Sequence, residues 1–361
     1  MTRYSIITLT LIVSLFSFYS CKEDIVLTGE QKETAIIYCL LDQSEDVHYV
    51  KINRAFIGPG NALDFAQIPD SNYFEHVDAY IYEYVGNNPT KTWYLNDTIL
   101  TNKSTSGIFY SPEEKLYYFK GDLNIDATYK LKVIINKGLA NEFEINGETE
   151  LIKGLESGQP LTNYSPLKFI NSNNQYISAA ITTTSTGTGT SAIVSASLGI
   201  KIYEYYGNTL HDSVYIDWFA AESEVSKNEK FSAPLLGQTF YEKIKESVTN
   251  DPLITKRQIQ EITLKLTGGS EDLKDYINAN KPSNSLAQTK PSFTNLTITN
   301  DKNVVGIFSS RCTVKIEKLI SSSFRVLDLN STKELCTGSI TGQLFFCSQR
   351  NDDSQQTFSC Q

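Results

Sequence analysis

The strongest constraint on this chain is an alternation of apolar and polar residues in runs too short for stable helices. Between residues 33 and 155 the runs 33–41, 47–56, 77–84, 92–95, 108–110, 116–119, 129–135 and 142–151 read as strands. Turn-forming stretches part them: Gly58-Pro59-Gly60, Gly86-Asn87-Asn88-Pro89 and Asn136-Lys137-Gly138. The chain holds 21 Tyr and 18 Phe but a single Met, and aromatic wealth without long helical runs leans the same way. Short strands at this spacing predict a mainly β protein with an N-terminal β-sandwich over 33–155.

Tyr129, Leu131, Val133 and Ile135 share one strand face, and Tyr129 opens that strand after the corner Leu123-Asn124-Ile125-Asp126-Ala127-Thr128. This is similar to the tyrosine corner of fibronectin-III and immunoglobulin-like sandwiches, where the hydroxyl bonds back to upstream backbone. A plain core tyrosine fits the same alternation. With this corner, the 33–155 sandwich is expected to be immunoglobulin- or fibronectin-III-like. From 156 the character changes. Residues 155–166 are rich in Gly, Ser and Pro, and 181–199 is mostly Thr, Ser, Gly and Ala. A domain boundary is expected near 155–165, with 181–199 a flexible loop. The second domain, 156–361, is expected to be β-rich with two short helices near 238–249 and 270–280. Phe240, Tyr241, Ile244 and Val248 stripe the first, while Ser270 caps the second and Pro282 follows it. Strands are expected from 200 to 206 and 259 to 266, with closing strands at 304–308, 312–316 and 342–346. Ile81-Tyr82-Glu83-Tyr84-Val85-Gly86-Asn87 recurs as Ile202-Tyr203-Glu204-Tyr205-Tyr206-Gly207-Asn208, which reads as two similar hairpins or as two related halves.

The N-terminus reads as an address. Residues 6–18 are nearly all apolar, the length of a signal-peptide core and too short to span a bilayer comfortably. The run ends at Phe18-Tyr19-Ser20-Cys21, which resembles the lipobox of bacterial lipoproteins, with Phe18 departing from the usual Leu. Residues 1–20 would then be removed and Cys21 would carry lipid, leaving 21–32 as a tether. Several acyl chains anchor stably, at about 0.8 kcal/mol per buried methylene. Lys22-Glu23-Asp24 resembles the surface-export signal of Bacteroidota lipoproteins and implies display on the outer face of the outer membrane. The chain has 32 basic and 41 acidic side chains, for a net charge of −9. An acidic body repels phosphate backbones, so no nucleic-acid partner is expected.

Asn303-Val304-Val305-Gly306-Ile307-Phe308-Ser309-Ser310-Arg311 resembles the closing motif of a large Bacteroidota outer-membrane lipoprotein family of unknown function. Ala35-Ile36-Ile37-Tyr38-Cys39-Leu40-Leu41, Gly237-Gln238-Thr239-Phe240-Tyr241 and Ser270-Glu271-Asp272-Leu273 are similar to other parts of it. Members are commonly encoded beside TonB-dependent receptors. The resemblance implies an envelope lipoprotein accessory to transport, with a TonB-dependent receptor as partner, and carries over no catalytic residue.

Chemistry is sparse. His occurs only at 48, 76 and 211, and the pair His76/Asp78 lacks a third ligand nearby, so neither a metal nor a cofactor is expected. No nucleophile elbow or phosphate loop occurs. Beyond Cys21 the cysteines are Cys39, Cys312, Cys336, Cys347 and Cys360, and two bridges among the last four are plausible in three pairings. Trp93 and Trp218 fit a core or a sugar-stacking role. Asp97-Thr98-Ile99 and Asp212-Ser213-Val214 resemble a short O-glycosylation motif of Bacteroidota envelope proteins, making Thr98 and Ser213 candidates. A simple turn fits equally. The expected function is a surface-exposed binding or accessory lipoprotein taking a small or oligomeric nutrient. A surface hydrolase on glycan or peptide and an adhesion module are the rivals. Residues 58–70, 157–175 and 181–199 are the expected contact loops.

Overall fold

The computed structural model describes residues 33–55, 64, 66, 68–101, 114–159, 165–249, 251–281, 293–319 and 325–360. In the first half the alternating runs become β1 (Thr34–Asp42), β2 (Val47–Ala55), β3 (Val77–Val85), β4 (Asn88–Tyr94), β5 (Asn96–Leu100), β6 (Glu114–Lys120), β7 (Thr128–Ile135) and β8 (Phe143–Glu150), with a short helix α1 (Pro69–Asn72). Every second residue turns inward: Ala35, Ile37, Cys39 and Leu41 on β1, and Tyr129, Leu131, Val133 and Ile135 on β7. These faces come from two sheets and close on one core, where Trp93 on β4 meets Phe119 on β6 at 4.9 Å. The expected strand at 108–110 lies outside the described residues.

The second half contains β9 (Ser178–Thr182), β10 (Ile193–Tyr206), β11 (Thr209–Glu224), β12 (Ser232–Leu236), β13 (Lys256–Gly269), β14 (Thr297–Ile298) and β15 (Asn303–Leu319). Helices are α2 (Gly237–Ser247), α3 (Glu271–Asn280) and α4 (Leu329–Thr337). The chain is mainly β. One sheet runs β11-β10-β13-β15-β1-β2-β6-β5, a second β14-β8-β7-β3-β4, and β12 pairs β9 alone. No helix among the described residues is long and apolar enough to cross a membrane.

β15 joins the halves. Its first part runs parallel to β1, from Thr34↔Asn303 to Asp42↔Arg311, and its second runs antiparallel to β13, from Gly269↔Arg311 to Glu261↔Leu319. Its even-numbered residues face both cores: Phe308 lies in the first, Cys312, Val314 and Ile316 in or against the second. The expected strands at 304–308 and 312–316 are therefore one strand. Arg311 and Thr313 close the join by donating to the buried Asp42 carboxylate at 3.1 and 2.8 Å. α3 covers the back of it, with Tyr276 donating to the Tyr38 hydroxyl at 3.0 Å.

Other expectations fail for local reasons. Residues 181–199 do not form a flexible loop. Their ends belong to β9 and β10, and Thr188 is fully buried, donating to the Glu229 carbonyl at 2.7 Å. Small residues fill this region because space is short: a Cβ on Gly189 would lie 1.8 Å from the Lys153 carbonyl oxygen. The strand expected at 342–346 is a run of turns, with Phe346 alone bridging to Arg257. α4 was not expected, though Asp328 caps it by accepting from the Ser331 amide at 3.0 Å. Of the four late cysteines, Cys347 and Cys360 are joined, while Cys312 and Cys336 are separate buried thiols.

The repeated heptapeptide forms two alike hairpins. Gly86 (φ 61°) and Gly207 (φ 59°) each open a two-residue turn, the glycine-first pattern whose twist matches paired strands. In both, the Glu turns inward. Glu83 accepts from Thr90 Oγ1 (2.7 Å) and Tyr129 (2.8 Å), and Glu204 accepts from Arg257 Nε (2.7 Å). Arg257 is itself buried and donates onward to the Leu344 and Thr249 carbonyls.

Gly306 should be the least replaceable glycine of the join. Its φ is +110°, and a Cβ would lie 1.9 Å from the Ile37 carbonyl oxygen on the neighbouring strand. Gly306→Ala should cost more than the ~1–3 kcal/mol of a strained backbone alone. Gly86→Ala, with nothing within 4 Å of the added carbon, should cost only about 1 kcal/mol. Urea midpoints of the two variants check the contrast, and equal midpoints would refute it.

Candidate functional site

The long strands β10 and β11 bury one face and bare the other. Val194, Ala196, Leu198, Ile200 and Ile202 enter the second core, and their partners Val214, Ile216 and Trp218 follow. The intervening residues therefore stand on the opposite face, where Tyr215 is 54% and Phe219 59% exposed. Tyr215 reaches across β10 over Gly199, where a Cβ would come 2.3 Å from its hydroxyl. Lys265 on β13 donates to that hydroxyl at 3.3 Å and sits 5.7 Å from the ring centre. Lys201 lies 5.5 Å from the Tyr203 ring and Lys256 lies 4.5 Å from Tyr205. None of these three lysines has an ion-pairing carboxylate among the described residues. Each rests on an aromatic face, an arrangement worth roughly 0.5–1 kcal/mol at exposed sites.

A second depression, an open cleft of about 570 Å³, lies where the halves meet, lined by Glu148, Glu150, Lys153, Lys227, Glu271 and Asp272. A smaller pocket of about 70 Å³ lies under the C-terminal disulfide, beside Gln258, Arg325 and Cys336. Arg325 is committed there to Asp353, donating to Oδ2 at 2.8 Å.

The expected site residues scatter. Cys21, Lys22, Glu23 and Asp24 lie outside the described residues, as does most of 58–70. Within 157–175, Leu167, Phe169 and Ile170 pack into the second core. Thr98 and Ser213 lie on β5 and β11, the two edges of the eight-stranded sheet, Ser213 exposed and Thr98 half-buried. Both are strand positions, so the turn reading fails. Trp93 and Trp218 pack against the two cores. Reasoning from sequence missed Tyr215, Phe219 and Lys265. The signal was the continuing alternation of 209–219 beyond the Gly207-Asn208 turn.

The titratable groups are set for structural work. His48 is buried, which lowers its pKa, and its Nε2 lies 3.0 Å from the Gly121 carbonyl. His76 is exposed, and His211 stacks on Tyr206 at 3.8 Å. No group of three or more metal-binding side chains occurs among the described residues. Burial pushes the Cys39 and Cys336 thiols up to about 12, with the Asp353 charge adding to the second, so both stay protonated and unreactive. Burial pulls Lys318 down to about 8, where it donates to the Ser165 carbonyl at 2.6 Å. Burial works to raise Asp42, Glu83 and Asp353, but hydrogen bonds and nearby cations outweigh it and hold all three below the usual carboxylate range. The hydrogen bond from Lys132 lowers Glu144, and the Leu253 amide lowers Asp251. None of these five carboxyls is tuned as a proton donor.

No protein-family model matches the chain, and no curated protein matches it.

The depressed Glu83 carboxyl gives a pH test. A group whose folded pKa lies below its ordinary 4.5 adds stability above that value and loses it as pH falls through the folded pKa. Between about pH 6 and pH 3, wild type should therefore lose stability more steeply than Glu83→Gln. Urea midpoints across that range check this, and parallel acid limbs would exclude Glu83 as a contributor.

Proposed function

We propose that the chain is a Bacteroidota outer-membrane lipoprotein, held by lipid on Cys21, facing the cell exterior, and serving a TonB-dependent nutrient uptake system as a binding or accessory component. The observation that carries this is the apolar run 6–18 closing on Ser20-Cys21, followed by Lys22-Glu23-Asp24 and an acidic body. Such a body gains little from anionic lipid, so attachment falls to the acyl chains. Tethering confines the body near its partner and raises the effective concentration of their encounter. The bared aromatic face of β10 and β11 supports a binding role over a catalytic one, because its exposed rings stand on paired strands rather than around perturbed proton donors.

The N-terminal half is proposed to be an immunoglobulin-like sandwich. The strand order β1-β2-β6-β5 against β8-β7-β3-β4 supports it, being the ABED and GFCC′ arrangement of that fold. Tyr129 supports it too: it opens β7, and its hydroxyl accepts from the Asn124 amide five residues upstream at 2.6 Å.

Expression of the full precursor in a Bacteroidota host tests the anchor. Wild type should incorporate labelled palmitate, sediment with membranes and, after detergent extraction, co-purify with a receptor barrel. Cys21→Ser should lose the label and keep its leader. A Cys21→Ser chain trimmed at the same bond and still sedimenting would overturn the proposal.

A further inference from the structure

We infer that the bared face of β11, β10 and β13 binds a neutral, hydroxyl-rich oligosaccharide. This deepens the binding role proposed above and rests on it. Tyr215 and Phe219 are four residues apart on β11, so their Cα atoms lie about 13 Å apart along the strand, and the Tyr215 ring leans over Gly199, towards Phe219. A pair of rings spread along a strand in this way suits a chain of sugar rings rather than one. The rings offer exposed aromatic surface, to which the C–H face of a pyranose is complementary. Tyr215 is already held, with its hydroxyl fixed by Lys265 and its reach across β10 permitted by Gly199. A fixed ring loses little freedom on binding.

Charge decides between ligand classes. Lys201, Lys256 and Lys265 share the face with Asp217, Glu222 and Glu261. A polyanion would meet the carboxylates, and a polycation the ammoniums. A neutral sugar chain meets acceptors and donors in mixture, and each of its hydroxyls can both give and take a hydrogen bond. The neighbouring Ser213 hydroxyl is exposed and adds both capacities. The mixed field also disfavours a flat anionic lipid surface.

Affinity electrophoresis of the purified mature chain tests this independently of the anchor, because retardation in the gel needs no membrane. Gels would contain soluble amylopectin, xylan, galactomannan or mixed-linkage β-glucan, with polygalacturonate as charged control. At least one neutral polysaccharide should retard wild type, little affected by salt. Tyr215→Ala and Phe219→Ala should each weaken binding roughly tenfold or more. Gly199→Ala should weaken it several-fold while keeping thermal stability near wild type. The nearest atoms to its added carbon belong to the far end of the Tyr215 side chain, which can swing aside. Circular dichroism confirms folding in each case. No retardation by any neutral polysaccharide, retardation indifferent to all three substitutions, or equal retardation by polygalacturonate would overturn the inference. So would equal binding to phosphatidylglycerol vesicles lost through the same substitutions. The lipid anchor could still stand after any of these outcomes.

Discussion

β15 is the constraint on which both halves depend. It carries seventeen residues, and no local hairpin could deliver its first half to β1, because a parallel neighbour needs a long crossover. Here that crossover is nearly the whole chain, and residue 303 returns to residue 34. Closing so long a loop costs only logarithmically more than closing a short one, and two buried faces offset it. The same strand supplies Phe308 to one core and Cys312 to the other, so neither core is complete without it. Gly306 is the local consequence. β15 lies so close to β1 there that a side-chain carbon has no room.

Buried charge shows a second economy. The two hairpins share Ile-Tyr-Glu-Tyr, and in each the Glu faces a core. A lone buried carboxylate costs several kcal/mol, so each must find partners. The solutions differ. Glu83 takes a tyrosine and a threonine hydroxyl, with Lys91 at 3.7 Å, whereas Glu204 takes a buried arginine. Arg257 then uses its other nitrogens on the Thr249 and Leu344 carbonyls, tying β13 to the segment after α2 and to the C-terminal region. Similar sequence in the hairpin thus does not imply similar surroundings.

Much of the first half was legible because its strands are half-buried and alternate cleanly, as at Tyr129-Leu131-Val133. The sequence left Tyr129 open between a corner and a plain core tyrosine, and the hydroxyl accepts from the Asn124 amide. The second half was less so, for physical reasons. Thr, Ser and Gly in 181–199 look like a loop by composition, but tertiary packing selects them for smallness. α4 hid behind weak helix formers such as Asn330, Ser331 and Thr332, its stability coming from Leu335 and Cys336 packed in the core. The join at β15 could not be read from periodicity, which reports a strand's face but not its neighbour. The bared aromatic face of β11 was not legible, because periodicity does not tell a ring that covers backbone from one that stands free.

Surface aromatics also stabilise sheets without any ligand. Tyr215 fits such a role. It covers a glycine on the adjoining strand, a known way of shielding the exposed backbone, and it holds a lysine. Phe219 does not fit. Its cross-strand neighbour is Ser197, it has no ring or ammonium partner among the described residues, and it is the more exposed of the two. A phenylalanine there raises the apolar area in contact with water and lies on an edge strand, where exposed apolar residues invite aggregation. Asp212, Asp217, Glu222 and Glu224 on the same strand, with no lysine or arginine, make pairing with a second copy of that edge repulsive. The strand is thus defended against itself while keeping its apolar rings bare, which is what a face reserved for an uncharged ligand would require.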